Sequence, residues 1–150
     1  MAGSKKDTFE NALLLHIFQN ASIANIGDAT GLRGSTAAGN LYVALFTAAP
    51  SESGQGTEAN YTGYARVAVA RTSGGWTVSG NNASNAAAVP FGQCTAGSNT
   101  IVAFAICKAG TAGVDDAIYW GDITSPAGGL AVSAGITPEF AIGEIDITED

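Results

Sequence analysis

Apolar residues recur along this chain first at every fourth position and later at every second. Phe9, Leu13 and Ile17 are four apart, with Leu14 and Phe18 on the adjoining face. This spacing predicts a helix of about three turns, with Asp7 as its cap and Glu10, three residues on, as the capping-box partner. The stretch NASIANIGDATGLRGSTAAGN, residues 20–40, sets Ile23 and Ile26 as anchors among Gly, Ala, Ser and Asn, which predicts a long loop. Beyond it the chain reads as β. LYVALFT (41–47) is apolar on both parities, as a central strand is. YTGYARVAVARTSGGW (61–76) sets Ala65, Val67 and Val69 against Arg66, Ala68 and Ala70. Gly74 and Gly75 then predict a turn that returns residues 76–78 as a hairpin partner.

NNASNAAAVPFGQ is expected as a polar loop entering a short strand that Pro90 confines to an edge. TIVAFAICKAG (100–110), AIYWGDI (117–123), LAVSAGI (130–136) and PEFAIGEIDIT (138–148) complete the strands. In the last, Phe140 and Ile142 share one parity and Ile145 and Ile147 the other, so a bulge is expected at Gly143. Short strands between Gly-rich turns predict a mainly β fold: an antiparallel β-sandwich, Greek-key or jelly-roll-like, with one N-terminal α-helix. The chain reads as a single domain overall, with residues 1–40 as an anchoring arm of helix and Gly-rich loop, and residues 41–150 as the sandwich.

Composition narrows the function. A chain of 150 residues suffices for one hydrophobic core. Only 13% of residues are charged while 46% are hydrophobic, so the surface must consist of small neutral polar groups. That suits a subunit packed against other proteins better than one dissolved alone. A net charge of −7 leaves no basic patch for nucleic acid. ALLLHIF, the longest apolar run, is interrupted by His16 and is too short to span a membrane. Asp7 and Glu10 lie where a signal peptide would be apolar, so the N-terminus reads as mature and made in a cytoplasm. Cys94 and Cys107 are expected as buried or half-buried thiols rather than a metal site, with a disulfide open if their segments pair as adjacent strands.

No residue pattern calls for catalysis. His16, the single histidine, lies among Leu13, Leu15 and Ile17 on the helix, without a nucleophile at motif spacing. Asp115 and Asp116 are an adjacent carboxylate pair, but in a stretch that reads as a turn. GQGTEA (54–59) approximates a phosphate-binding fingerprint, yet lacks the strand before it and the helix after it. Glu139, Glu144, Asp146, Glu149 and Asp150 do not have calcium-loop spacing. The expectation is therefore a non-enzymatic protein with no catalytic, cofactor-binding or metal residues, and with Phe9, Leu13, Ile17, Tyr61, Tyr64 and Arg66 as interface candidates. Trp76 and Trp120 are expected in the core; as stacking faces, with Tyr61 and Tyr64, they offer a carbohydrate-binding module as an alternative.

The order of segments DTFENALLLHIF, LYVALFTAAP, YTGYARVAVAR and ITPEFAIGEIDIT resembles a family of small tailed-bacteriophage and prophage virion structural proteins, often described as tail-fibre or capsid-associated. The likeness covers nearly the whole chain and is most specific in LYVALFTAAP and YTGYARVAV, including Pro50 and Gly63. It implies no catalytic motif and no cofactor. The role expected within such a virion is a capsid decoration, or cement, protein on the capsid surface. Its partners would be the major capsid protein and itself, as a homotrimer, with neither nucleic acid nor membrane. A tail, baseplate or fibre component is the alternative.

Overall fold

The computed structural model describes residues 4–27, 31–113 and 116–150. Its single helix is α1 (Asp7–Gln19), and its strands begin with β1 (Asn40–Ala48), β2 (Thr57–Glu58), β3 (Val67–Ala70), β4 (Trp76–Ser79), β5 (Asn82–Asn85) and β6 (Val89–Pro90). They continue with β7 (Ser98–Ile101), β8 (Ala103–Cys107), β9 (Ala117–Asp122), β10 (Leu130–Ser133), β11 (Glu139–Phe140) and β12 (Asp146–Thr148). The mainly β, antiparallel class is as expected, and among the described residues there is one helix and no sheet closes into a barrel. The chain divides into two compact units, one drawn from residues 1–40, 70–88 and 141–150, the other from residues 41–69 and 89–140. The expected division after residue 40 therefore captures only the N-terminal part of the first unit.

In the first unit, α1 lies against the antiparallel sheet β12-β5-β4. Leu14 and Phe18 are fully buried, and the ring of Phe18 meets Trp76 edge to face at 4.7 Å. Phe9 is exposed and Leu13 and Ile17 are half-buried, so the apolar stripe is only partly used inside the unit. The cap differs from expectation. Lys6, in extended conformation, is the N-cap, and its carbonyl accepts from the Phe9 and Glu10 amides. Asp7 is instead the first helical residue, where its charge still suits the positive end of the helix. At the other end Asn20 turns left-handed (φ 58°), and Arg71 donates to the last-turn carbonyls of His16 and Ile17, both at 2.6 Å. A cation on the terminal carbonyls satisfies groups the helix itself cannot.

The described residues between 20 and 40 fold back on themselves. Ile23 and Leu32 exchange backbone hydrogen bonds of 2.8 Å, and the Asn20 side chain bonds both backbone groups of Ser35. A Cβ on Gly34 would lie 2.0 Å from the Asn20 carbonyl, so only glycine permits this closure.

The expected hairpin between the 61–71 stretch and residues 76–78 does not form. The amides of Gly75 and Trp76 both bond the Thr72 carbonyl, closing a helical turn that sends the chain away from β3. β3 pairs with β1, and β4 pairs with β5 across Gly80 and Asn81. Gly80, at φ 59°, supplies the left-handed position of that two-residue loop. β5 is the strand that periodicity missed: NASN is polar, yet Ala83 and Asn85 point inward. Asn85 is 1% exposed and is satisfied by the carbonyls of Ala87 and Ala141 and the amide of Ile145.

The second unit is built on a five-stranded sheet, β2-β1-β8-β9 with β3 also on β1. β1 is central, as expected, running from Tyr42 opposite Cys107 to Phe46 opposite Ala103. TIVAFAICKAG, expected as one strand, is two. Val102 donates to Phe46 and accepts from Ile123, each at 2.8 Å, and marks the change. Before it β7 pairs β10, and after it β8 pairs β1 and β9. The closing stretch 138–148 also splits. β11 pairs β6, β12 pairs β5, and Gly143 (φ 78°) lies in a turn between them rather than at a bulge. Tyr61, Tyr64, Phe91, Phe140 and Phe104 form a continuous row of ring contacts in this unit. No described helix is long and apolar enough to cross a membrane.

Phe18→Ala is expected to cost about 3–5 kcal/mol, because it empties a fully enclosed site; chemical denaturation measures it. In a Trp120→Phe background, removal of residues 1–20 is expected to shift Trp76 emission to the red. Unchanged emission would separate the helix from this core.

Candidate functional site: a buried arginine and an open cleft

Arg66 stands in the second unit between the Tyr61–Tyr64 turn and β3, with its side chain only 4% exposed. Its Nε and Nη2 donate to the two carboxylate oxygens of Glu58 at 2.9 and 3.0 Å, a bidentate pair. Nη1 donates to Asp116 and, at 2.7 Å, to the Ala109 carbonyl. The second oxygen of Asp116 accepts the amides of Lys108 and Ala109. Tyr64 extends the network, its hydroxyl donating to Glu58 at 2.7 Å and accepting from the Leu45 amide at 3.0 Å.

Burial sets the electrostatics. It opposes the charge on Arg66, but the bonds to Glu58 and Asp116 outweigh it and hold the guanidinium more firmly protonated than usual. Burial also raises Tyr64 well above its ordinary range, and Glu58 adds to this. The Cys107 thiol, fully enclosed beside these groups, is pushed up to about 12 by burial, with Arg66 pulling back only in part.

The opening motif is fixed by close backbone approach. Tyr61 is buried, with its hydroxyl donating to the Gly92 carbonyl at 3.0 Å. Gly63 has φ 103°, and a Cβ there would lie 2.1 Å from the Gln93 carbonyl. A Cβ on Gly92 would lie 1.9 Å from the Gly63 carbonyl, so neither glycine admits a side chain.

Above the network opens a cleft of about 460 Å³. It is lined by the exposed Ser51, Glu52 and Gln55 of the loop after β1, by Trp120 of β9, and by the more buried Phe46, Glu58 and Asp116. Trp120, expected in the core, is 40% exposed, whereas Trp76 is fully buried. The distinction follows from position: Trp120 is on the sheet's edge strand, and Trp76 faces α1.

The structure thus brings Tyr61, Tyr64 and Arg66 together and turns their polar groups inward. Phe9, Leu13 and Ile17 belong to the other unit. His16 Nδ1 donates to the Ala21 carbonyl at 2.7 Å, a bond closing the helix end. Asp115 lies outside the described residues, and Asp116 serves as the second anion of Arg66. Cys94 and Cys107 are buried thiols without a disulfide. Of the terminal carboxylates, Glu144 accepts from the Ala141 amide, Asp146 from Asn82, and Glu149 pairs with Lys5. Among the described residues no group of three or more His, Cys, Asp or Glu is placed to hold a metal ion. Sequence reasoning marked Arg66 as an interface candidate and named neither of its carboxylate partners. Glu58 is not singled out by its surroundings, and Asp116 reads as a turn residue.

Arg66→Ala is expected to cost about 3–5 kcal/mol, since it strands two carboxylates in a largely enclosed site; denaturation of the variant checks this. Alkali is expected to destabilise the fold. Unfolded, Cys107 loses its proton near its ordinary 9.0, whereas the native thiol holds it to about 12. The unfolded state then binds fewer protons, so stability is full below that lower value and falls as pH rises towards the upper one. Cys107→Ala should flatten the decline, as read from unfolding midpoints across that window.

The chain has no match among curated proteins. The sequence profile of the family described as podophage GP4 fiber I protein gp80 matches residues 4–148, which takes in both units and every strand. The chain therefore belongs to the Gp80 family, that of podophage GP4 fiber I protein gp80, and is a phage virion structural protein.

Proposed function

We propose that the protein is a non-catalytic component of a podophage tail fibre. The observation that carries this reading is the family description itself, which names a fibre protein and spans residues 4–148 rather than one module of the chain. The low share of charge supports it: 13% charged residues leave a surface of small neutral groups suited to being held by neighbouring subunits. A non-catalytic role is supported by the commitments of the ionisable groups. His16 is spent on the helix end, and Arg66 is paired with both Glu58 and Asp116.

Self-association, expected as a trimer, fits a fibre, in which repeated interfaces let weak contacts add. A capsid decoration role would use the same surface character, with the major capsid protein as partner. The family description favours the fibre over it.

Copy number per purified particle separates the two, with gold-labelled antibody showing location. A few copies, labelled at the tail, are expected. A ratio near one to the major shell protein, with label over the head, would move the protein to the capsid. Its absence from particles would remove both readings.

A further inference from the structure

The cleft beside Trp120 is not used by the fold. We propose that it binds a neutral saccharide. Its volume, about 460 Å³, lies within the usual range of small-molecule sites. Tyr61, Tyr64, Phe91, Phe140 and Phe104 are engaged with one another in a row of ring contacts, whereas Trp120, 40% exposed, lines the cleft. An indole face is a platform for the C–H face of a pyranose ring, which is apolar on that side and ringed by hydroxyls. The exposed Ser51, Glu52 and Gln55 line the same cleft and bring a hydroxyl, a carboxylate and an amide. Together they both donate and accept, and a sugar hydroxyl needs both.

The wall that carries these groups is pre-formed. Ser51 and Gly54 bond each other's backbone at 2.8 and 3.4 Å, closing the tip. Gly56, at φ 69°, approaches so closely that a Cβ would lie 2.3 Å from the Ala48 carbonyl. A loop held this way loses little freedom on binding.

Charge selects the ligand class. An acidic sugar or a phosphate needs a cation, and Arg66 is the cation lining this cleft. All three of its nitrogens are already bonded, to Glu58, Asp116 and Ala109. Glu52, Glu58 and Asp116 therefore leave the cleft with an excess of negative charge, in a chain of net charge −7. An anion is repelled, and a neutral polyol is not. The inference concerns the isolated chain and does not depend on where in the particle it resides.

The test is titration of purified full-length protein by calorimetry and by tryptophan emission. The probes are glucose, galactose, mannose, N-acetylglucosamine and their short oligomers, with glucuronic and sialic acids as charged counterparts. At least one neutral sugar is expected to bind with a millimolar or tighter dissociation constant. Its emission change should persist in Trp76→Phe, which keeps Trp120. Trp120→Ala is expected to weaken binding at least about tenfold in calorimetry, and Gln55→Ala to weaken it less, both with unchanged unfolding midpoints. The proposal is overturned if no neutral sugar binds, if the acidic sugars bind as tightly, or if Trp120→Ala binds as the parent does. It is overturned equally if Trp120→Ala dissociates an oligomer of the parent protein, since the cleft would then be an interface between copies.

Discussion

A guanidinium withdrawn from water keeps its place only where anions and carbonyls surround it, and this requirement organises the second unit around Arg66. The two carboxylates that neutralise it come from β2 and from the residue just before β9, and the carbonyl from the turn after β8. Tyr64 carries the same network to the backbone of β1 through the Leu45 amide. β2 is only two residues long, and a strand so short has little backbone pairing with which to define its register. The bidentate bond between Arg66 and Glu58 supplies what the ladder lacks, fixing Glu58 opposite Phe46. Buried ion pairs contribute little net stability compared with apolar packing of equal volume. Here the network's consequence is registry, because each member of it holds a different segment.

Arg71 follows the same logic in the first unit. It lies just beyond β3, and its guanidinium covers the carbonyls at the end of α1 and that of Ala38. Two of the chain's six lysine and arginine residues are thus directed inward, one in each unit. Of the other four, Lys6, Arg33 and Lys108 are exposed and Lys5 is half-buried, on a surface otherwise rich in Gly, Ala, Ser, Thr and Asn. Such a surface is weakly self-repelling, as a subunit of a virion assembly requires.

The sequence made some of this legible and concealed the rest for identifiable reasons. Four-residue spacing located α1, and dense apolar runs located β1, the β8 region and β9, because burial dictates those patterns. The partition of TIVAFAICKAG at Val102 was hidden because every residue there is apolar on both parities. Nothing in such a run marks where it changes partner. β5 was hidden for the opposite reason: NASN has no apolar alternation, and its inward polar residue, Asn85, is stabilised by bonds to residues distant in sequence. The Gly80-Asn81 dipeptide was the available signal, as a two-residue hairpin loop. At the site, the sequence marked Arg66 as an interface candidate, and the structure gives it a buried counter-charge. Its identity depended on pairing of segments that local pattern does not encode. Trp76 follows a Gly pair and Trp120 an apolar run, a context that would bury Trp120 if anything, and only the edge position of β9 leaves it open.

The ionic network that fixes the fold of the second unit also determines what its cleft can recognise. Were Arg66 bonded to Glu58 alone, its third nitrogen would face the cleft as a cation and invite an acidic ligand. Asp116 removes that possibility by occupying it, and the backbone amides of Lys108 and Ala109 hold Asp116 in place. The chemistry presented to the cleft is then the indole of Trp120, carboxylates, and the amide and hydroxyl of a loop whose approach to the Ala48 carbonyl requires glycine at position 56. Structural need and ligand chemistry converge on the same residue: the arginine that is indispensable to the scaffold is, for that reason, withdrawn from recognition.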